Sequence, residues 1–247
     1  MKFMSSVAIL AMALQTDPPV KPVGELDPRD PKSIADHAIF NTRTQKCYET
    51  AYTARLATPA GVIDYKGRNV WVAPGVLYVH FTATGNDEQK IVRAGEKDVW
   101  VYNSLGGWGT DAEVGKEGAG RGIQNPDEVL SVLSKHTDTG VTQVKPGRLS
   151  VAFNGRALAR LMKGQIQGAI NPANSSAVVN LDVDDTIRIR KLTCDATVNG
   201  INRYTSEVTV VSYNDATELK FTDDRNRLLP LLPEMKDRIE SVLNGKK

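Results

Sequence analysis

Cysteine and histidine are scarce in this chain, which limits the metal and thiol chemistry open to it. Its 247 residues include only two cysteines, Cys47 and Cys194, and three histidines, His37, His80 and His136. The histidines stand far apart, without the spacing of a metal-ligand set. Neither cysteine has the context of a catalytic nucleophile. We therefore expect no metal site, no cofactor and no thiol catalysis.

The chain also lacks a strong charge of either sign. Its formal net charge is +2, and the basic residues are scattered rather than arranged in a stripe. Nucleic-acid binding needs a concentrated basic surface, so we expect no nucleic-acid partner. A composition of 40% hydrophobic and 24% charged residues suits one globular domain, or at most two.

Enzyme signatures are missing as well. Gly115-Lys116 precedes Glu117, where a phosphate-binding loop needs serine or threonine. No serine occupies a Gly-x-Ser-x-Gly elbow. Asp182 and Asp184 alternate with apolar residues, which is typical of a solvated strand face rather than an acid/base pair. With no nucleophile–base pair, we expect a noncatalytic protein.

No apolar run is long enough to cross a bilayer. The run at 3–14 follows Lys2 and has the length of a signal-peptide core, whereas a spanning helix needs about 20 residues. Ala11 and Ala13 fit a cleavage site, no cysteine follows for a lipid anchor, and a proline-broken segment comes next. We predict a signal peptide at 1–13, a flexible linker at 14–30, and a soluble, exported protein without stable membrane insertion. The alternative for 1–13 is a buried N-terminal helix.

The most informative feature present is a meander of strands. Apolar and aromatic runs at about 44–57, 61–73, 76–84, 88–94 and 98–104 are separated by turn signals such as Pro74-Gly75 and Gly85-Asn86-Asp87. Side chains alternate along a strand, so both faces of 76–81 are largely apolar. Helices, a partner or a ligand must cover those two faces.

Patterns in the rest of the chain predict four helices and more strands. Asp30-Pro31 begins a helix through Phe40, and Asn125-Pro126 begins a short one. We predict a strand at 141–153, a helix at 156–166, strands at 177–184, 187–198, 203–213 and 217–221, and a final helix at 233–243.

The order of these elements resembles the LolA-like superfamily of periplasmic lipoprotein carriers and lipid-binding relatives. The resemblance rests on Trp71-Val72-x-Pro74, on the segment from Gly95 to Asn103, and on Asn125-Pro126 before a short helix. It is strongest over residues 33–135. It implies an α+β, mainly β, fold over 31–227: a strongly curved antiparallel sheet forms an incomplete barrel, with short helices as a lid over its apolar concave face. Residues 228–247 would be a C-terminal helical extension.

The resemblance also implies a function. It predicts a noncatalytic periplasmic carrier that binds lipid acyl chains or lipoproteins and exchanges them with membrane-bound donor and acceptor proteins. The family arginine before the strand-turn proline is replaced by Ala73, and the aromatic three residues after that proline by Leu77. The arginine's role in lipoprotein handling therefore cannot be transferred. An envelope interaction or sensor module that uses the same fold as a docking surface stays open.

Candidate site residues follow from the apolar strand and helix positions. The predicted cavity lining comprises Trp71, Leu77, Val79, Phe81, Trp100, Tyr102, Leu130, Leu133, Leu158, Leu161, Val179 and Leu181. Ordinary core packing is the alternative for these residues. The glycine-rich segment 106–122 predicts a mobile lid loop that includes Trp108, Gly118 and Gly120, and a plain surface loop is its alternative.

The sequence leaves open whether the two cysteines form a disulfide. An exported protein with one possible pair favours a disulfide between Cys47 and Cys194. Free cysteine is also a common core residue, so two unrelated buried thiols are equally compatible with the sequence.

Overall fold

Eleven antiparallel strands form one sheet in the part of the chain that the computed structural model describes, namely residues 23–95, 98–110, 113, 130, 133–135, 140–156, 158 and 171–245. The strands are β1 (Cys47–Thr58), β2 (Gly61–Val72), β3 (Val76–Ala83), β4 (Asn86–Ala94), β5 (Asp98–Asn103), β6 (Gly107–Thr110), β7 (Val141–Lys145), β8 (Arg148–Asn154), β9 (Ser176–Val183), β10 (Ile189–Val198) and β11 (Asn202–Tyr213). The described helices include α1 (Pro31–Arg43) and α2 (Pro233–Leu243), with a 3-10 turn at Pro172–Asn174. The mainly β class predicted from the sequence is confirmed.

The sheet is open rather than closed. Its strand order is β6-β5-β4-β3-β2-β1-β11-β10-β9-β8-β7, so β6 and β7 are its two edges. Pairing of β1 with both β2 and β11 joins the N-terminal meander to the C-terminal strands. The β1–β11 register shifts between Glu49 and Thr50, which leaves Val211 as an extra, bulged residue.

The sheet curves around a shared hydrophobic interior. Strands as distant in the sheet order as β3 (Ala83) and β8 (Leu149) contribute to one hydrophobic cluster, together with Ala35, Ala38 and Ile39 of α1. An open sheet that wraps one face around a helix is the incomplete barrel that the resemblance implied.

Helix α1 packs inside this curve. Asp30 caps it by accepting hydrogen bonds from the backbone N–H groups of Lys32 and Ser33, and Pro31 occupies its first turn. Its buried side chains include Ala35, Ala38 and Ile39. The Asn41 Nδ2 donates to the Ile187 carbonyl at 2.9 Å, and the Thr42 Oγ1 accepts from the Ile189 N–H at 2.9 Å. These bonds fix α1 to the concave side near the start of β10.

Helix α2 covers the opposite, outer face. Met235 and Ile239 are buried against a cluster that includes Val70, Tyr78 and Val92 of β2, β3 and β4. An ion pair between Arg238 Nε of α2 and Asp98 Oδ2 of β5, 2.5 Å apart, also joins the helix to the sheet. The helix has the bounds expected from the sequence, whereas the domain boundary at 227/228 stays a prediction.

Three local predictions need correction. The strand expected at 141–153 is the hairpin β7–β8, because Pro146-Gly147 forms a turn with Gly147 at φ 72°. Residues 217–221 form no strand, and an isolated bridge pairs Thr222 with Leu228. The glycine-rich segment contains β6, because its residues 107–110 pair with β5.

Other predictions lie outside the described residues. They include the signal peptide at 1–13, most of the linker at 14–30 and most of the helices at 125–133 and 156–166. Within the described ranges, no helix combines the length and apolar character needed to cross a lipid bilayer.

Candidate ligand-binding face

The concave face carries an apolar lining on strands β1 to β5. Cross-strand register places Trp71 opposite Leu77 and Tyr48 opposite Trp71, with Val79 opposite Ile91. Together with Val101 these residues form one cluster, and each is at most 5% exposed. In the part of the chain that is described, no helical residue belongs to this cluster.

A second apolar cluster continues the concave face toward β8. It combines α1 with residues of β1, β2 and β8 to β11, and with the helical residues Leu130, Leu133 and Leu158. Half-buried Phe81 packs against both this cluster and the first one. The lining is therefore continuous from β5 to β8.

Two polar side chains interrupt this lining. Thr50 of β1 and Asn69 of β2 are directly opposite each other in the register. The Thr50 Oγ1 and the Asn69 Oδ1 are both buried and have no hydrogen-bond partner, and Thr50 is 2% exposed. A buried polar atom without a partner costs about 1–3 kcal/mol. Thr50 and Asn69 are therefore candidate polar contacts within the apolar lining.

Three buried tyrosines lie on the same face. Tyr52 is two residues from Thr50 along β1, Tyr65 is four residues from Asn69 along β2, and Tyr204 of β11 lies in the second cluster. Burial raises the pKa of Tyr52 and Tyr204 well above the ordinary value of 10.0. The Tyr65 hydroxyl is buried without a partner. All three side chains are therefore neutral near pH 7.

The structure brings most of the predicted lining residues to this face. The first cluster contains Trp71, Leu77 and Val79, and Phe81 packs against it. The second cluster contains Leu130, Leu133, Leu158, Val179 and Leu181. Leu161 is outside the described residues. That these side chains contact a ligand stays a prediction.

Trp100 and Tyr102 are not brought to the concave face. They alternate with Val101, so they point to the outer face, where Trp100 packs in the cluster with α2. Trp108 of β6 is directly opposite Tyr102, and its ring centroid lies 5.5 Å from that of Tyr102 and 5.2 Å from that of Phe221. Trp108 is thus a strand residue on the outer face. The other lid-loop residues, Gly118 and Gly120, lie outside the described residues.

The cysteines do not form a disulfide. Both are free thiols. In the strand register, Cys194 of β10 lies opposite Ser206 of β11, and Ser206 lies opposite Ala54 of β1. Ala54 is seven residues along β1 from Cys47. Seven residues of strand span roughly 23 Å, far beyond the reach of a disulfide. Burial, with a smaller contribution from Asp195, raises the pKa of the Cys194 thiol to about 12.

A groove of about 900 Å³ runs across β1, β2, β3, β9, β10 and β11. Its lining combines concave-face residues such as Tyr65 and Cys194 with outward-pointing residues. The latter include the ion-paired Arg55 and Asp64, with 3.6 Å between Nη1 and Oδ1. Among the described residues, no three His, Cys, Asp or Glu side chains group closely enough to hold a metal ion.

Comparison with solved structures finds similarity at low identity. LprF from Mycobacterium bovis has a TM-score of 0.43 and 11% identity, covering 80% of this chain and 99% of its own. A LolA superfamily protein from Nitrosomonas europaea has a TM-score of 0.34 and 10% identity, covering 78% and 95%. An outer membrane lipoprotein-sorting domain from Vibrio parahaemolyticus has a TM-score of 0.30 and 12% identity, covering 76% and 93%. No protein-family model and no curated protein matches the sequence.

The described residues form an open, curved antiparallel sheet with helix α1 against its concave face, which is the architecture that the resemblance predicted.

Proposed function

We propose that this protein is a noncatalytic carrier that holds the acyl chains of a lipid or an acylated lipoprotein against its concave face. The observation that supports this most directly is the continuous apolar lining from β5 to β8, joined at Phe81. An extended acyl chain needs an extended apolar surface rather than a set of specific polar contacts. Each buried methylene contributes about 0.8 kcal/mol, so a long chain supplies ample affinity.

The chemistry of the face favours binding over catalysis. Its unpaired polar atoms belong to hydroxyl and amide side chains, Thr50, Tyr65 and Asn69, which are weak nucleophiles and weak bases. The Cys194 thiol has a pKa of about 12, so it is protonated near neutral pH and unreactive.

The proposed setting is the periplasm, which rests on the signal-peptide pattern at residues 1–13. A carrier there would load from one membrane-bound protein and unload to another. A docking or sensor module is the competing function, and it requires no bound lipid.

Lipid extraction tests the proposal. Protein purified without detergent is extracted with organic solvent and analysed by mass spectrometry, and we expect acyl lipid in the extract. The delipidated protein is then titrated with N-phenyl-1-naphthylamine, an uncharged fluorescent probe of apolar sites.

A matched pair of variants locates the site. Phe81→Gln breaks the apolar junction of the concave face, whereas Thr82→Gln changes the exposed neighbour that points to the outer face. We expect Phe81→Gln to weaken dye binding about tenfold and Thr82→Gln to leave it unchanged. A lipid-free extract with equal dye binding by both folded variants would contradict the carrier and favour the docking module.

A further inference from the structure

We propose that Thr50 and Asn69 bind an uncharged polar group of the ligand that both donates and accepts a hydrogen bond, such as a hydroxyl or a secondary amide beside the acyl chain. This inference rests on the proposed carrier function and names the chemistry of its ligand. It starts from the Thr50 and Asn69 oxygens, which are buried in the apolar face without hydrogen-bond partners.

The geometry allows one ligand group to reach both residues. Thr50 and Asn69 are direct cross-strand neighbours on the same face of β1 and β2. The Cβ atoms of such a pair lie about 4.5–5.5 Å apart. The bulge at Val211 lies directly beside this pair on β11. Such bulges are frequent next to functional sites, where they change the direction in which a side chain points.

The two side chains have complementary hydrogen-bonding capacity. The Thr50 hydroxyl can donate a proton, and the Asn69 Oδ1 can accept one. A ligand hydroxyl or secondary amide satisfies both, because it accepts from Thr50 and donates to Asn69. An ester carbonyl only accepts, so it leaves the Asn69 oxygen unpaired, which costs affinity.

The surroundings disfavour an ionised group. The neighbours of the pair on the concave face are Val210 and Val79 across the sheet and, along the two strands, Tyr48, Tyr52, Gly67 and Trp71. All six are uncharged, since burial raises the pKa of Tyr52 and keeps its hydroxyl protonated. A carboxylate or phosphate here would be buried without a counter-charge. The ligand's charged headgroup, where it has one, must therefore lie away from this pair.

Competition against N-phenyl-1-naphthylamine tests the inference on the delipidated protein. The probes are dodecan-1-ol, N-methyldodecanamide, dodecane and dodecanoate, used at a pH where dodecanoate is ionised. Thr50→Val removes the hydroxyl at constant shape, and Thr53→Val makes the same change on the same strand at an exposed position on the other face.

We expect Thr50→Val to lower the affinity for dodecan-1-ol and N-methyldodecanamide about tenfold relative to dodecane, and Thr53→Val to leave that ratio unchanged. Asn69→Leu should produce the same loss, which keeps the test informative where one variant folds poorly. An unchanged ratio in both concave-face variants, or tighter binding of dodecanoate than of dodecan-1-ol, would overturn the inference while the carrier function stands. Failure of the wild-type protein to bind the dye and every dodecyl probe would overturn both.

Discussion

The ring of Tyr52 on β1 lies across Gly67 on β2. A Cβ atom on Gly67 would come within 2.6 Å of the Tyr52 Cζ and 2.6 Å of the His80 carbonyl oxygen. Glycine at this position therefore lets the tyrosine ring pack flat onto the neighbouring strand. The contact lies at the junction of the concave lining, next to Phe81.

Replacing that glycine tests the contact. We expect Gly67→Ala to lower the free energy of unfolding by about 1–3 kcal/mol, because both the Tyr52 ring and the β3 backbone at His80 must move. Gly106→Ala is the control, since its Cβ would meet nothing within 4 Å, and its effect should stay within about 0.5 kcal/mol. Urea denaturation measures both, and equal midpoints would contradict the close contact at Gly67.

The C-terminal helix should unfold together with the sheet. Met235 of α2 is 0% exposed against the outer face. We expect Met235→Ala to cost about 2–5 kcal/mol in the single unfolding transition seen by circular dichroism. Leu228→Ala removes a 64% exposed leucine from the same extension and should change little. A separate, early transition that carries the whole effect of Met235→Ala would mean that α2 is an independent appendage.

The Glu88 carboxylate should make stability depend on pH. Burial raises its pKa, but hydrogen bonds from Lys90 and His80 outweigh burial and hold the pKa below its ordinary value of 4.5. The Lys90 Nζ lies 2.5 Å from the Glu88 Oε2. Because the pKa is lowered in the folded state, this stabilisation is present above about pH 4.5 and is lost as pH falls through the lowered pKa.

Glu88→Gln should remove this contribution. We expect the variant to be less stable near neutral pH by about 1 kcal/mol, since the Glu88 carboxylate is partly exposed and screened by solvent although Lys90 is buried. Its urea midpoint should fall less steeply than that of the wild type below pH 4.5. Glu234→Gln, an exposed position on α2, controls for the loss of one negative charge. Parallel pH profiles for wild type and Glu88→Gln would contradict the assignment.

Both cysteines should be titratable without reduction. The two thiols are free, and burial raises the pKa of both Cys47 and Cys194. Ellman's reagent should therefore react slowly with the native protein at mildly alkaline pH and with two thiols after unfolding in urea without reductant. Cys194→Ala should remove one of these equivalents. If the unfolded, unreduced protein showed no reactive thiol, the free-thiol assignment would be wrong and the two cysteines would be joined in a disulfide.

Elements with strong local signals could be predicted from the sequence. Asp30-Pro31 marks the start of α1 because an aspartate cap and an N-terminal proline act within one turn. The Pro74-Gly75 turn separates β2 from β3 for the same kind of local reason. The Pro146-Gly147 turn is an equally local signal, and it divides 141–153 into the strands β7 and β8.

The composition of each face required the tertiary structure. Alternation along a strand shows that Val101 and its neighbours Trp100 and Tyr102 point to opposite sides, but it does not show which side is concave. That is decided by the pairing of β1 with β11 and by the curvature that follows. The predicted lining therefore contains both Trp100 and Leu77, although the two lie on opposite faces.

The candidate binding pair is likewise a product of tertiary structure. Thr50 and Asn69 lie in strands, where a polar residue ordinarily indicates a solvated face, and nothing in either local sequence marks them as unusual. Only the strand register places them opposite each other, and only the curved sheet buries them. The sequence by itself determined most of the strands and their turns, the helices α1 and α2 and the mainly β class, because these depend on local periodicity and turn chemistry. The faces, the free thiols and the polar pair depend on contacts between residues far apart in the chain, and only the tertiary structure decided them.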